Sequence, residues 1–217
     1  WGDLEAQMRN WNAHVWLSGD SIVEQAIHCI DMMQWAMGDK APSHAEASGG
    51  RQVYDDPDKY GNIFDHFGVE YHWADGTQGF HYSRQMDNCE NGVWDRVYGS
   101  KGKYTGESGR KLHVFSDADG LKWRWNAGPN NERNNNGYQT EHDEMYAGIR
   151  AGKPLNNGEY MAQSTLLAIM GRMATYTGQQ VTWPQALQSK EDLTPPKYAW
   201  GDAPEAPIAV PGVTKVV

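Results

Sequence analysis

The first clear hydrophobic periodicity in the chain begins at residue 20. At the ~100° step of an α-helix, Ile22, Ala26, Ile30, Met33 and Met37 share one face. Asp20 or Ser21 caps the start of this helix, and Gly38 ends it. Glu24, His28, Asp31 and Trp35 line the opposite face, and a polar stripe ending in tryptophan predicts that this face borders a cleft or an interface. From Ala45 to Trp125 the period changes to two. Ile63, Asp65, Phe67, Val69, Tyr71 and Trp73 alternate with Phe64, His66, Glu70 and His72. The "ADGT" turn at 74–77 leads into "QGFHYSRQM", which makes an antiparallel hairpin. Further strands are expected in "GVWDRVYG", "KLHVFS" and "LKWRWN", the last two joined at "DADG". The expected result is a meander with one packed face and one polar-aromatic face.

Helical spacing then returns. "NNERNNNG" at 130–137 reads as a loop, and Thr140 with Asp143 forms a capping box for a helix through Arg150, closed by Gly152 and Pro154. A second helix covers "EYMAQSTLLAIMGRMATYT" and stops at Gly178; a short third one starts near Thr182, with Pro184 in its first turn. Five of the ten prolines follow Asp192. The pattern predicts an α+β domain over 1–192, a mostly antiparallel sheet with helices packed on one face, and a proline-rich tail over 193–217 wrapped on the surface.

At 217 residues the chain is long enough to bury a core without disulfides. A formal charge of -9 argues against nucleic acid or an anionic membrane as partner. No run approaches the ~18 apolar residues of a membrane span. The two cysteines, Cys29 and Cys89, lack metal-ligand spacing and read as small buried residues. Ten Trp and eleven Tyr against four Phe suit sugar stacking and wet interfaces, but equally a Trp-rich core.

Glu24 and His28 stand four residues apart. Ser21-x-x-Glu24 fits a capping box, which would make Glu24 structural. The pair also fits a general acid/base with its carboxylate, or two ligands of a metal whose third ligand is not evident. Arg9, Asn10, His66 and Arg84 are candidates to bind hydroxyl or anionic groups. "SGG" at 48–50 and "GSKGK" at 99–103 complete neither a dinucleotide loop nor a phosphate loop.

Taken together, "MRNW", "WLSGDSIVEQAIHCID", "GGRQV", "YGNIFDHFGVEY", "GSKG", "IRAGKPLNNGE" and "STLLAIMGRMATYTGQQVTWPQAL" resemble the C-terminal domain of the glucose–fructose oxidoreductase, inositol dehydrogenase and MocA family. That resemblance implies an antiparallel α+β domain that supplies substrate contacts and a homo-oligomer interface through its sheet. A separate Rossmann domain, absent here with its catalytic lysine, would bind NAD or NADP, so no cofactor site is expected in this chain alone. The family's acid/base histidine and its aspartate map to His28 and Glu24, with glutamate replacing aspartate. Trp1 falls after the position of the domain's first strand, so the chain reads as a fragment or a processed chain. The implied reaction is hydride transfer at a hydroxyl-bearing carbon of a carbohydrate or polyol, with a redox-neutral glycosidase or lyase outcome through a 3-keto sugar as a variant. His28 would move the hydroxyl proton and Glu24 would orient the imidazole. The look-alikes are secreted-type bacterial proteins, which implies a periplasmic or exported location. The alternatives are a non-catalytic sugar-binding or oligomerisation module and a metal-dependent enzyme built on Glu24 and His28.

Overall fold

A computed structural model of the chain describes residues 1–107, 112–126, 137–204 and 207–216. Its strands are β1 (His44–Gly50), β2 (His66–His72), β3 (Gln78–Arg84), β4 (Gly92–Gly99), β5 (Gly102–Glu107), β6 (Leu112–Asp117), β7 (Gly120–Asn126) and β8 (Val181–Thr182). They form one sheet in the order β7-β6-β5-β4-β3-β2-β1-β8. Every pairing among the described residues is antiparallel, so β1 to β7 make a meander and β8 closes the β1 edge. The helices are α1 (Asp3–Arg9), α2 (Val15–Ser18), α3 (Ser21–Glu24), α4 (Ile27–Ala36), α5 (Pro57–Tyr60), α6 (Gly137–Arg150), α7 (Gly158–Thr177) and α8 (Trp183–Leu187). Neither β1 nor β5 shows an apolar alternation: "HAEASGG" and "GKYTGE" are small and polar, and their neighbours on both sides hold them in the sheet.

The alternation in β2 places Phe67, Val69 and Tyr71 on the face that α4 and α7 cover, where they pack with Ile22, Ile30, Met33, Leu167 and Met170. Helix α7 crosses β1 and β2 closely because glycines make room. A Cβ on Gly49 would strike the His66 carbonyl and the Thr175 methyl, and one on Gly171 would fall on the Tyr71 hydroxyl. That hydroxyl donates to the Leu167 carbonyl at 3.0 Å, so the buried tyrosine is held in place. A second buried polar group lies beneath α4: His81 Nδ1 is 2.7 Å from Asp95 Oδ1, and His81 Nε2 is 3.2 Å from Ser83 Oγ. Burial pushes the Asp95 carboxyl up from its ordinary value, against the pull of His81.

The opposite face of the sheet carries a ladder of rings and cations. Arg84 lies over Tyr82 (5.5 Å), Tyr82 stacks on Trp94 (5.1 Å), and Arg96 lies over Trp94 (4.3 Å). Phe80 meets Tyr98 edge-on at 5.8 Å. These contacts form the expected polar-aromatic face.

Several expectations are corrected. The helix predicted over 20–37 is broken at Gln25–Ala26, because the Gln25 and Ala26 amides both donate to the Ser21 carbonyl and widen the turn. Its cap is Asp20, whose carboxylate accepts from the Ser21 amide at 2.5 Å, and the Ser21–Glu24 capping box does not form. Cys29 is buried but Cys89 is exposed in the turn before β4. Helix α6 begins at Gly137, ahead of Thr140; the rest of the expected 130–137 loop lies outside the described residues. Helix α6 also buries no side chain, leaving Tyr138, Met145, Tyr146 and Ile149 exposed. Among the described residues no helix is long and apolar enough to cross a membrane.

Alanine is the better helix former by about 1 kcal/mol in an open helix, but at Gly171 it must displace a bonded, buried tyrosine. Gly171→Ala is therefore expected to lower stability by about 1–3 kcal/mol, read as a fall in thermal or urea midpoint. An unchanged or raised midpoint would show that α7 has slack over Tyr71.

Candidate functional site

Helix α3 ends at Glu24 beside a groove of about 330 Å³. One wall is α3 with Ser21 and Glu24, followed by Gln25; the facing wall is the Tyr54–Ile63 segment, and Asn10, Asn12, Ala13 and Gln85 complete the lining. The far wall is braced by ring contacts. Tyr54 and Tyr60 stack with ring centroids 4.3 Å apart, and Lys59 lies over Tyr60 at 4.5 Å. Asn10 Nδ2 donates to the Lys59 carbonyl at 2.9 Å, tying the N-terminal segment to that wall. Across the groove mouth, Gln85 Nε2 donates to Gln25 Oε1 at 2.6 Å and Tyr54 Oη to Gln85 Oε1 at 3.4 Å. Burial, then the nearby Asp65 carboxylate, raises the Tyr54 phenol above its ordinary value.

Two buried carboxylates build the frame. Asp65 Oδ2 accepts from the amides of Gln52, Val53 and Tyr54 at 2.6, 2.6 and 3.3 Å, which fixes the loop that carries Tyr54. Burial alone would raise the Asp65 carboxyl; the His66 ring and these three amides outweigh it and hold it below its ordinary value. Asp20, on the α3 side, accepts from the Ser21 amide, the Phe64 amide at 2.8 Å and the Tyr176 hydroxyl. Burial pushes its carboxyl up to about 6 despite those bonds.

The sequence candidates separate in space. Glu24 and Asn10 meet in the groove. His28 stands exposed in the first turn of α4, just beyond the break, and neither it nor Glu24 makes a side-chain hydrogen bond or ion pair among the described residues. Arg9 lies outside the groove, paired with Glu5 at 3.0 Å and stacked over Trp1 at 4.5 Å. His66 and Arg84 are register partners on the open face of the sheet. There His66 Nδ1 pairs with Asp65 at 2.6 Å, and Arg84 donates to the Glu90 carbonyl. Asp31, expected on the same face as His28, instead accepts from the Tyr160 and Ser164 hydroxyls of α7 and joins the two helices. No three of His, Cys, Asp and Glu come together to hold a metal among the described residues. Tyr54, Tyr60, Lys59, Asn12 and Gln85 were not legible as site residues, because their convergence depends on long-range pairing of the 51–65 loop with the N-terminal segment.

A profile described as the oxidoreductase family's C-terminal alpha/beta domain matches residues 2–162. Among curated protein sequences none matches. Solved structures share the fold at low identity. An aldose-aldose oxidoreductase from Caulobacter crescentus, complexed with glycerol, is 17% identical with a TM-score of 0.59, over 79% of this chain and 50% of its own. A levoglucosan dehydrogenase in complex with NADH and levoglucosan is 16% identical with a TM-score of 0.55, over 76% and 51%. GenD2 from gentamicin A biosynthesis, in complex with NAD, is 16% identical with a TM-score of 0.55, over 79% and 50%. The chain thus spans about half the length of each of these structures. With its antiparallel sheet and covering helices, and with the profile matched over most of its length, the chain belongs to the glucose–fructose oxidoreductase, inositol dehydrogenase and MocA oxidoreductase family, as the C-terminal α/β domain.

Proposed function

We propose that this chain is the substrate-binding and acid/base half of an NAD(P)-dependent carbohydrate oxidoreductase, with the groove beside Glu24 as its sugar site. The observation that carries the reading is the placing of Glu24 in a groove lined by amides and hydroxyls, one turn before an exposed His28 that has no side-chain partner among the described residues. A polyhydroxylated ligand needs many donors and acceptors together with some apolar ring surface. Asn10, Asn12, Gln85 and the tyrosine pair supply these, and structures that share this fold include an aldose-aldose oxidoreductase with glycerol and a dehydrogenase with levoglucosan.

The described residues do not fit a dinucleotide. A pyrophosphate cradle of the Rossmann type opens from parallel strands onto a helix N-terminus, whereas every strand pair among the described residues is antiparallel. A nicotinamide carried by a separate nucleotide-binding half would supply the hydride chemistry. The residues in this chain bind, orient and move a proton. Glu24 accepts from sugar hydroxyls at the groove wall, the asparagines fix the ring's orientation, and His28, one turn further along the chain, takes or returns the hydroxyl proton. The open face of the sheet, with its Arg84–Tyr82–Trp94–Arg96 ladder, is the surface we assign to subunit contact.

In the full-length enzyme, His28→Ala is expected to lower turnover roughly 10²–10⁴-fold with little change in KM for the sugar. Glu24→Gln keeps the shape but removes a charged acceptor, and is expected to lower kcat/KM by about tenfold or more. Near-wild-type steady-state rates in both variants would leave Glu24 and His28 as structural or solvated groups and end this reading. A separate measurement tests the sheet. Trp94→Asp is expected to shift the sedimentation profile toward a smaller species, because a standard interface buries ~1,600 Å² and its aromatic centre dominates affinity. A wild-type protein that sediments as a monomer at high concentration would overturn the assignment.

A further inference from the structure

Asp20 has no exposed surface, and every polar atom it owns is bonded. Its amide donates to Ser18 Oγ at 3.0 Å. Its carbonyl accepts from the Val23 and Glu24 amides, each at 2.9 Å, so the backbone of Glu24 hangs directly on Asp20. One carboxylate oxygen caps α3 through the Ser21 amide, while the other takes the Phe64 amide and the Tyr176 hydroxyl. Phe64 directly follows Ile63, which lines the groove wall opposite Glu24. One side chain therefore ties the two walls of the groove to each other and to α7.

The backbone at this point is strained for the purpose. Asp20 sits at φ 72°, ψ 166°, a conformation that ordinarily requires glycine, directly after Gly19 at φ 74°. A cap alone would not need it, since an N-cap residue normally takes ordinary β-region angles. The double reversal turns the Asp20 carboxylate inward to Phe64 and Tyr176 instead of leaving it at the surface.

We infer that Asp20 is the positioning residue of the groove, holding Glu24 at a set distance from the Tyr54–Ile63 wall and so controlling how tightly a sugar is gripped. This rests on the groove being the sugar site. Its burial makes the effect dependent on pH, against the pull of its hydrogen-bond donors. Facing the carboxyl are Tyr176 and Arg172 from α7, Glu191 paired with Arg172, and Tyr54 across the groove; His14 precedes it in the chain. With its carboxyl raised to about 6 by burial, Asp20 binds more protons folded than unfolded. Its contribution to stability is thus fully present below the unfolded value of about 3.9 and is lost as pH rises through about 6. His14, lowered by burial, acts in the opposite direction, so the comparison must be made between variants in one background.

The test uses Asp20→Asn and Tyr176→Phe in the full-length protein, with glucose and levoglucosan as probes. Asp20→Asn is expected to keep the fold, to flatten the dependence of melting temperature on pH between 5 and 7, and to raise KM about tenfold with a smaller change in kcat. Amide NMR provides a readout independent of turnover. In wild type the Glu24 backbone amide and the Asn10, Asn12 and Gln85 side-chain amides should shift together with a midpoint near pH 6, and in Asp20→Asn that titration should vanish. If Asp20→Asn does not fold, Tyr176→Phe, which removes one hydroxyl, should displace the same amide signals and raise KM in the same direction. Groove amides that titrate identically with and without the Asp20 carboxyl, or a variant with wild-type KM and a wild-type titration, would overturn the inference. A wild type that oxidises no sugar would sink the functional reading alone, because the amide titration still decides the role of Asp20.

Discussion

The close approach of α7 to the sheet sets the rest of the architecture. From Leu167 to Thr177 almost every residue of that helix is buried, and it reaches this depth only because Gly49 and Gly171 remove the side chains that would keep it off β1 and β2. The Tyr71 hydroxyl, buried by the approach, bonds to the helix itself at Leu167. From this seat α7 touches α3, α4, α8 and β8, and presents Tyr176 to Asp20 and Tyr160 to Asp31. The position of α3 and α4 therefore depends on how α7 seats on the sheet.

Two polar contacts tie α7 to the helices beside it, buried Asp20 with Tyr176 and half-buried Asp31 with Tyr160 and Ser164, while the buried His81, Asp95 and Ser83 join β3 to β4. Apolar packing is weakly directional, and a helix on a sheet can slide by a fraction of an ångström at little cost. A buried carboxylate that loses its donors costs several kcal/mol, so each group acts as a pin. The pins lie on both sides of the α3–α4 break, which places Glu24 and His28 on two short helices held separately rather than on one continuous rod. Glu24 lines the groove, and His28 is exposed in the first turn of α4.

The two faces of the sheet divide the labour. The helix side holds the core and, through its lead-in segment at Ile63 and Phe64, one wall of the groove. The other side carries the stacked Arg, Tyr and Trp side chains, Arg84 among them, together with His66, its register partner and fellow candidate for ligand binding. His66 pairs with Asp65 just ahead of β2, and Arg84 lies over Tyr82 of its own strand and donates to the Glu90 carbonyl in the β3–β4 connection.

Much of the architecture is written in local spacing. The period of two around Phe67, Val69 and Tyr71, the turn at 74–77, the long apolar helix ending at Gly178 and the packed face of Ile22, Ala26, Ile30 and Met33 could all be read from one strand or one helix at a time. So could the ordered motifs that mark the family. The break at Gln25–Ala26, the strand character of the small residues in β1, the exposure of Cys89 and the use of Asp20 as a two-walled clasp could not. Each depends on how distant segments dock, or on a backbone angle that an aspartate adopts only when surrounding bonds force it. The side-chain pattern of the sequence determined which faces must be buried; tertiary packing decided which polar groups would meet, because hydrogen bonds are directional and long-range neighbours are set only once the layers have docked.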